Sequence, residues 1–278
     1  MKGISDMYRN GTGDLQEAFL RRASTRLLLV PLIVYLAWAL EVFLFEGRAA
    51  LFLHPDPAGV LLYTCMACIL VGLIIPVLLL RHTFLAGAVN MHQLGFRSLR
   101  RTTIMAVLTL VIIWTAVVLQ NPFGSDRITF IAAFLLLLPT GIASVMVCWV
   151  LVGTHVQALV RNRGTLVSIL SGTIVTGILF GLAAQSLQPG GDAGSFIRLL
   201  SAGILSALFF FAVRDVWAAS FAVTGILSFL FAGRMDPVIL QQSFSVILVA
   251  AGLMAGALAM VHWYLSRHYI TISAPVSS

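Results

Sequence analysis

Residues Pro139–Gln185 read PTGIASVMVCWVLVGTHVQALVRNRGTLVSILSGTIVTGILFGLAAQ. An apolar run gives way to a short polar hinge at Thr154–Gly164, carrying His155, Gln157, Arg161 and Arg163, and a second apolar run follows. A bilayer's hydrocarbon core takes about 20 apolar residues per helix. The stretch therefore reads as two membrane helices joined by a basic turn, and the rest of the chain repeats the pattern.

Of the 278 residues, 60% are hydrophobic and 10% charged, with a mean hydropathy of +1.02. Soluble domains carry roughly 25% charged residues, and a small globule cannot hide this much apolar surface from water. The fold class that follows is all-α: one polytopic membrane bundle in bilayer lipid. The net charge of +7 would suggest nucleic acid in a soluble protein. Here the basic residues sit in alternate loops, where membrane topology places them. The partner implied is membrane lipid, anionic lipid at the basic surface included, and not nucleic acid.

Length and hydropathy place about eight spans near 26–46, 58–80, 102–120, 128–152, 165–186, 196–213, 216–233 and 239–265. The sixth and seventh are short and separated only by Arg214-Asp215. Arg81, Arg97, Arg100, Arg101, Arg161, Arg163 and Arg267 fall on one side with the N-terminus. Arg48, Asp56, Asp126, Arg127, Asp192, Arg234 and Asp236 nearly cancel on the other. By the positive-inside rule both termini are cytoplasmic, as an even number of crossings requires. The expected layout is a cytoplasmic segment 1–25, a bundle over 26–266 and a cytoplasmic tail 267–278, in a plasma (inner) membrane. The polar N-terminus runs straight into a full-length span, unlike a cleavable signal peptide.

Phe84–Arg101 reads equally as an interfacial helix with its basic residues toward lipid headgroups or as a solvated loop. Cys65 and Cys68 form a CxxC inside an apolar run, which on a helix puts two small packing residues on one face. Gly177–Gly181 and Gly252–Gly256 are GxxxG pairs, which let helix backbones approach; packing inside the bundle is the expectation for both. The Asn121-Pro122 and Gly190-Gly191 pairs read as loop punctuation.

Ionisable groups within spans are costly and so become functional candidates. Glu41 lies in the outer third of the first span, where it could bind a proton or cation, ligate a metal, or simply snorkel to the headgroups. Glu46 marks the end of that span, and a pair at i, i+5 is not expected to share a face. His82, His92, His155 and His262 fall near the cytoplasmic surface. With no HExxH and no pair at i, i+4, a metal site would have to be assembled across helices. Glu41, His155 and His262 are the candidate polar or metal site, and no cofactor is called for. No GxSxG, phosphate loop or dinucleotide fingerprint stands in context. Arg214-Asp215 reads as a neutralised pair at a tight turn.

Val147–Gln157, Ala158–Gly164, Ile178–Ala184 and Arg214-Asp215-Val216-Trp217-Ala218-Ala219-Ser220-Phe221-Ala222 resemble the CPBP membrane family, which includes the type II CAAX-prenyl endopeptidases and the bacteriocin-immunity proteins. The resemblance covers about half the chain, near 139–235, and rests on Gly153, Gln157, Phe180 and Trp217 with the hydrophobic texture. It implies a metal held by two glutamates and two histidines near the cytoplasmic surface. This chain departs at those positions. Val147 and Cys148 stand where the family has its glutamate pair, Val152 replaces an arginine, and Ala184 replaces the first histidine. Val223 and Leu227, or their neighbours Thr224 and Ser228, take the places of the second histidine and its partner. Aliphatic side chains can neither hold an ion nor take a proton from water.

Three functions follow. A CPBP-like bundle that has lost hydrolysis would bind a membrane helix or lipidated peptide, with an apolar pocket at Cys148, Ala184 and Val223. A small transporter or permease subunit would show broken helices at mid-bilayer, for which Pro31, Pro76 and Pro139 are the available breaks. An active intramembrane metalloprotease would need a different residue set built on Glu41 and the inner histidines.

Overall fold

The computed structural model describes residues 28–48, 50–85, 94–120, 127–160, 163–187, 193–231 and 234–269. Among them there is no strand. Seven helices are long and apolar enough to cross a bilayer: α1 (Leu28–Arg48), α2 (Pro57–Arg81, continuing to Leu85), α3 (Leu99–Gln120), α4 (Arg127–Leu159), α5 (Thr165–Gln185), α6 (Ala193–Val213) and α9 (Phe244–Arg267, continuing to Tyr269). Between them lie α7 (Val216–Phe231) and the six-residue α8 (Pro237–Gln242).

Several helix starts are written locally. Asp56 precedes Pro57 and accepts from Gly59 N at 2.8 Å; Asp236 precedes Pro237 and accepts from Val238 N at 2.8 Å. An aspartate cap followed by proline satisfies one orphan donor and removes another. Asp215 caps α7 in the same way, accepting from Ala218 N at 3.0 Å.

At 16 residues, α7 is about 24 Å long at 1.5 Å per residue, short for a ~30 Å hydrocarbon core. It nevertheless joins the two faces. Val216 N donates to Gly95 O on the face where α3 begins, while Phe231 lines a cavity with Glu46 and Leu187, at the ends of α1 and α5. A short helix can do this because α3, α4 and α6 enclose it, leaving Val216, Ala218, Ala219, Ser220, Val223 and Leu227 buried.

The bundle is arranged around α4, in which every residue from Leu136 to Gln157 is buried. Lipid is as apolar as the side chains, so packing comes from close backbone approach. A Cβ on Gly72 of α2 would lie 2.5 Å from the Ala143 methyl, and one on Gly141 would collide with the Thr224 hydroxyl of α7. Gly177 and Gly181 face Ile204 and Leu200 of α6, so this GxxxG pair packs inside the bundle. Gly252 and Gly256 do not: a Cβ on either meets nothing within 4 Å. Their side of α9 is the exterior, while Met254 and Leu258 turn inward.

Other sequence expectations need correction. The helix of α4 continues through Thr154–Leu159, so the hinge does not begin at Thr154, and His155 and Gln157 are buried rather than solvated. Helical winding continues because the Thr154 hydroxyl and His155 ring bond to carbonyls one turn back. Pro31, Pro76 and Pro139 all sit within continuous helices. Pro76 follows a π-wound stretch, Thr64–Ile74, whose wider turns relieve the clash of a proline ring with the carbonyl four residues earlier. That winding also parts the cysteines: Cys68 is buried and Cys65 exposed, because i, i+3 positions share a face only at α-helical pitch. Of the expected interfacial segment, Leu94 and Phe96 are buried in the bundle, and residues 86–93 lie outside the described residues. So do the segments 1–27, 121–126 and 188–192, with the Asn121-Pro122 and Gly190-Gly191 pairs.

Candidate functional site

The six positions singled out from the resemblance are all in the interior. Val147, Cys148, Val152 and Val223 are fully buried, with Leu227 and Ala184 almost so. Val147, Cys148 and Val152 belong to a π-wound stretch of α4, Val145–Gly153, which packs on α5 and α7. Trp149 lies 5.4 Å from Phe180 between ring centroids, and Gly153 meets Phe211 and Thr176 so closely that a Cβ would sit 2.8 Å from the phenylalanine ring. The three segments are therefore neighbours, and Cys148, Ala184 and Val223 are buried within them.

The face carrying Arg97, Arg101 and Arg163 holds a polar cluster that links four elements. The chain reverses at Arg214, whose φ of 53° is left-handed, a conformation that costs a non-glycine residue of order 1–3 kcal/mol. Its carbonyl accepts from Arg97 Nε at 3.2 Å, and its guanidinium donates to Gln157 Oε1 at 2.8 Å while lying 5.0 Å from the Phe211 ring centroid. Burial, then the neighbouring Arg97 charge, push the Arg214 pKa down to about 10, which leaves it charged at neutral pH. Asp215 turns to other partners: one carboxylate oxygen caps α7 and the other accepts from the Thr102 hydroxyl at 2.7 Å. The adjacent charges thus do separate jobs, the aspartate as a cap and the arginine as a strut to α4. Gly95, at φ 82°, closes the cluster from the other side. Its carbonyl is bonded by Val216 N, and a side chain there would press on Phe210 and Val216.

The candidate histidines are occupied within this architecture. His262 accepts from Trp217 Nε1 at Nδ1, 3.1 Å, and its Nε2 lies 2.8 Å from Arg97 O. Because Nδ1 accepts, Nε2 carries the proton and donates. Neither nitrogen has a lone pair to give a metal. His155 Nδ1 lies 2.7 Å from Leu151 O, one turn back on its own helix. Among the described residues no three His, Cys, Asp or Glu side chains are grouped so as to hold a metal ion.

Glu41 is half-buried, with one oxygen lacking a partner. Glu46, read from the sequence as a span-end marker, is the more enclosed carboxylate. The last turn of α1, Phe43–Arg48, is π-wound and carries Glu46 inward.

A wider opening lies elsewhere. Between α3 and α4 is a cleft of about 440 Å³. Val107, Val111 and Trp114 form one wall, and Phe130, Phe134 and Leu135 the other. It exists because α3 packs chiefly on α7, where Ile113 seats against Gly225, and stands away from the outer half of α4. Phe130 contacts Phe229 at 5.3 Å and Phe134 contacts Phe221 at 6.3 Å, so rings of α7 back the α4 wall. Among the described residues the only hydroxyl in the lining, that of Thr115, donates to Val111 O of its own helix at 2.8 Å. Sequence reading missed this cleft, since nothing in one strand of apolar residues says that two helices will splay. No protein-family model matches the chain, and neither a curated protein nor a solved structure matches it.

Proposed function

We propose that this integral membrane protein is a non-hydrolytic binder of a single hydrocarbon chain, acyl or isoprenoid, whether from a lipid or from a lipidated peptide. The α3/α4 cleft carries the reading. Ligand sites commonly enclose about 300–1,000 Å³, and 440 Å³ lies within that range. Its lining is branched and aromatic, with its one hydroxyl already committed. Apart from the Trp114 indole N–H, a peptide backbone or headgroup would find no open bonding group among the described lining residues and would lose several kcal/mol per buried polar group. A docked transmembrane helix would want small residues for close approach, and Thr115 is the one such residue in the described lining.

The resemblance to the CAAX-protease-like family belongs to the same proposal: a bundle that kept its arrangement of helices while aliphatic groups replaced the ion-holding side chains. The adjacency of the α4 π-wound stretch to α5 and α7 supports it.

The test is photolabelling of the purified protein in nanodiscs with diazirine-bearing palmitate and farnesol. Adducts concentrated on Val107–Trp114 and Phe130–Leu135, and lost on Val111→Trp, are expected. Labelling spread evenly over all lipid-facing helices would remove the proposal, and chelator-sensitive peptide cleavage would remove its non-hydrolytic half.

A further inference from the structure

The opposite end of the bundle holds a second, smaller cavity, of about 70 Å³. It lies where the loop after α1 meets the end of α7, and is lined by Glu46, Phe52, Leu187, Phe231, Arg234 and Met235 among others. Among the described residues, Glu46 and Arg234 are the only polar side chains in the lining. The Glu46 carboxylate is 97% removed from solvent. Its Oε2 accepts from Phe52 N at 3.1 Å, and its Oε1 has no hydrogen-bond partner. Arg234 is exposed and contributes to the lining.

A buried carboxylate oxygen left without a partner costs of order 1–3 kcal/mol or more, and an ionisable group at membrane depth is a functional candidate by default. The two charged walls restrict what satisfies it. A simple cation would suit Glu46 but face the Arg234 guanidinium, and a simple anion would suit Arg234 but meet the carboxylate. The size limits it further. A water needs at least about 10–15 Å³ of such space and takes about 30 Å³ in the liquid, so 70 Å³ admits only a few water-sized groups. A ligand with an ammonium at one end, a carboxylate at the other and about five non-hydrogen atoms meets both conditions.

From this juxtaposition we propose that the cavity is a binding site for a small zwitterion of the glycine class, its ammonium on Glu46 Oε1 and its carboxylate toward Arg234. No bond is made or broken; the ligand replaces water against the two charges. The site is separate from the hydrocarbon cleft, and either can stand without the other.

The experiment is equilibrium dialysis of labelled glycine against the full chain in nanodiscs, with methylammonium and acetate as single-charge competitors. Saturable glycine binding at millimolar concentration or below is expected, with neither competitor displacing it at equal concentration. Glu46→Gln keeps an acceptor for Phe52 N, and Arg234→Met changes an exposed side chain, so both should fold; each should weaken binding at least tenfold. Thermal unfolding of both variants confirms that they are folded before binding is compared. Three results overturn the proposal: no saturable glycine binding to the unaltered protein, displacement by methylammonium as strong as by glycine, or folded variants that bind as before.

Discussion

Trp217 and His262, 45 residues apart, share a hydrogen bond of 3.1 Å from the indole nitrogen to Nδ1. The far nitrogen of the same imidazole reaches the Arg97 carbonyl at 2.8 Å. The histidine therefore couples the start of α7, the end of α9 and the segment before α3, and its role is architectural.

If so, His262→Ala strands a buried indole N–H and a carbonyl, and each unsatisfied group costs about 1–3 kcal/mol. Thermal unfolding in detergent should show a clear loss of stability, with His262→Gln recovering part of it. A variant as stable as the parent would contradict the bonded role.

Asp215 makes two buried bonds from one carboxylate. Bonds to charged groups are worth about 1.5–3 kcal/mol each, so Asp215→Ala should cost about 3 kcal/mol or more and fray the start of α7 in hydrogen exchange. Asp215→Asn keeps a capping oxygen and should cost less than half as much. Thr102→Val should reproduce only the smaller, Thr102-dependent part.

The glycines separate by what surrounds them. Gly141→Ala drives a methyl into the Thr224 hydroxyl, and overpacking of a tight interior costs about 1–3 kcal/mol. Gly252→Ala and Gly256→Ala place a methyl in open space and should stabilise by up to about 1 kcal/mol through helix propensity. Equal losses at Gly141 and Gly252 in chemical unfolding would mean that α9 is packed differently.

Arg163 and Arg234 are exposed at opposite ends of the bundle. Charge bias predicts that the Arg163 side is cytoplasmic. In a background without native cysteines, Arg163→Cys should react with an impermeant maleimide only after the membrane is opened, and Arg234→Cys should react in sealed cells. The reverse pattern would invert the topology.

Composition and hydropathy by themselves determined the all-α membrane bundle, because the lengths of apolar runs are set by bilayer thickness and need no knowledge of neighbours. They also marked the break at Arg214-Asp215, which is local chemistry. The sequence did not reveal which GxxxG pair would be covered, that Cys65 and Cys68 would part, or that Glu46 rather than Glu41 would be the enclosed carboxylate. Those outcomes depend on helix rotation and on π-wound turns, which one chain's residue order does not encode at short range. The cleft between α3 and α4 belongs to the same class. Its walls are 15 or more residues apart in sequence, and the packing of α3 on α7, with Ile113 seated on Gly225 and Thr102 bonded to Asp215, leaves the gap beside α4.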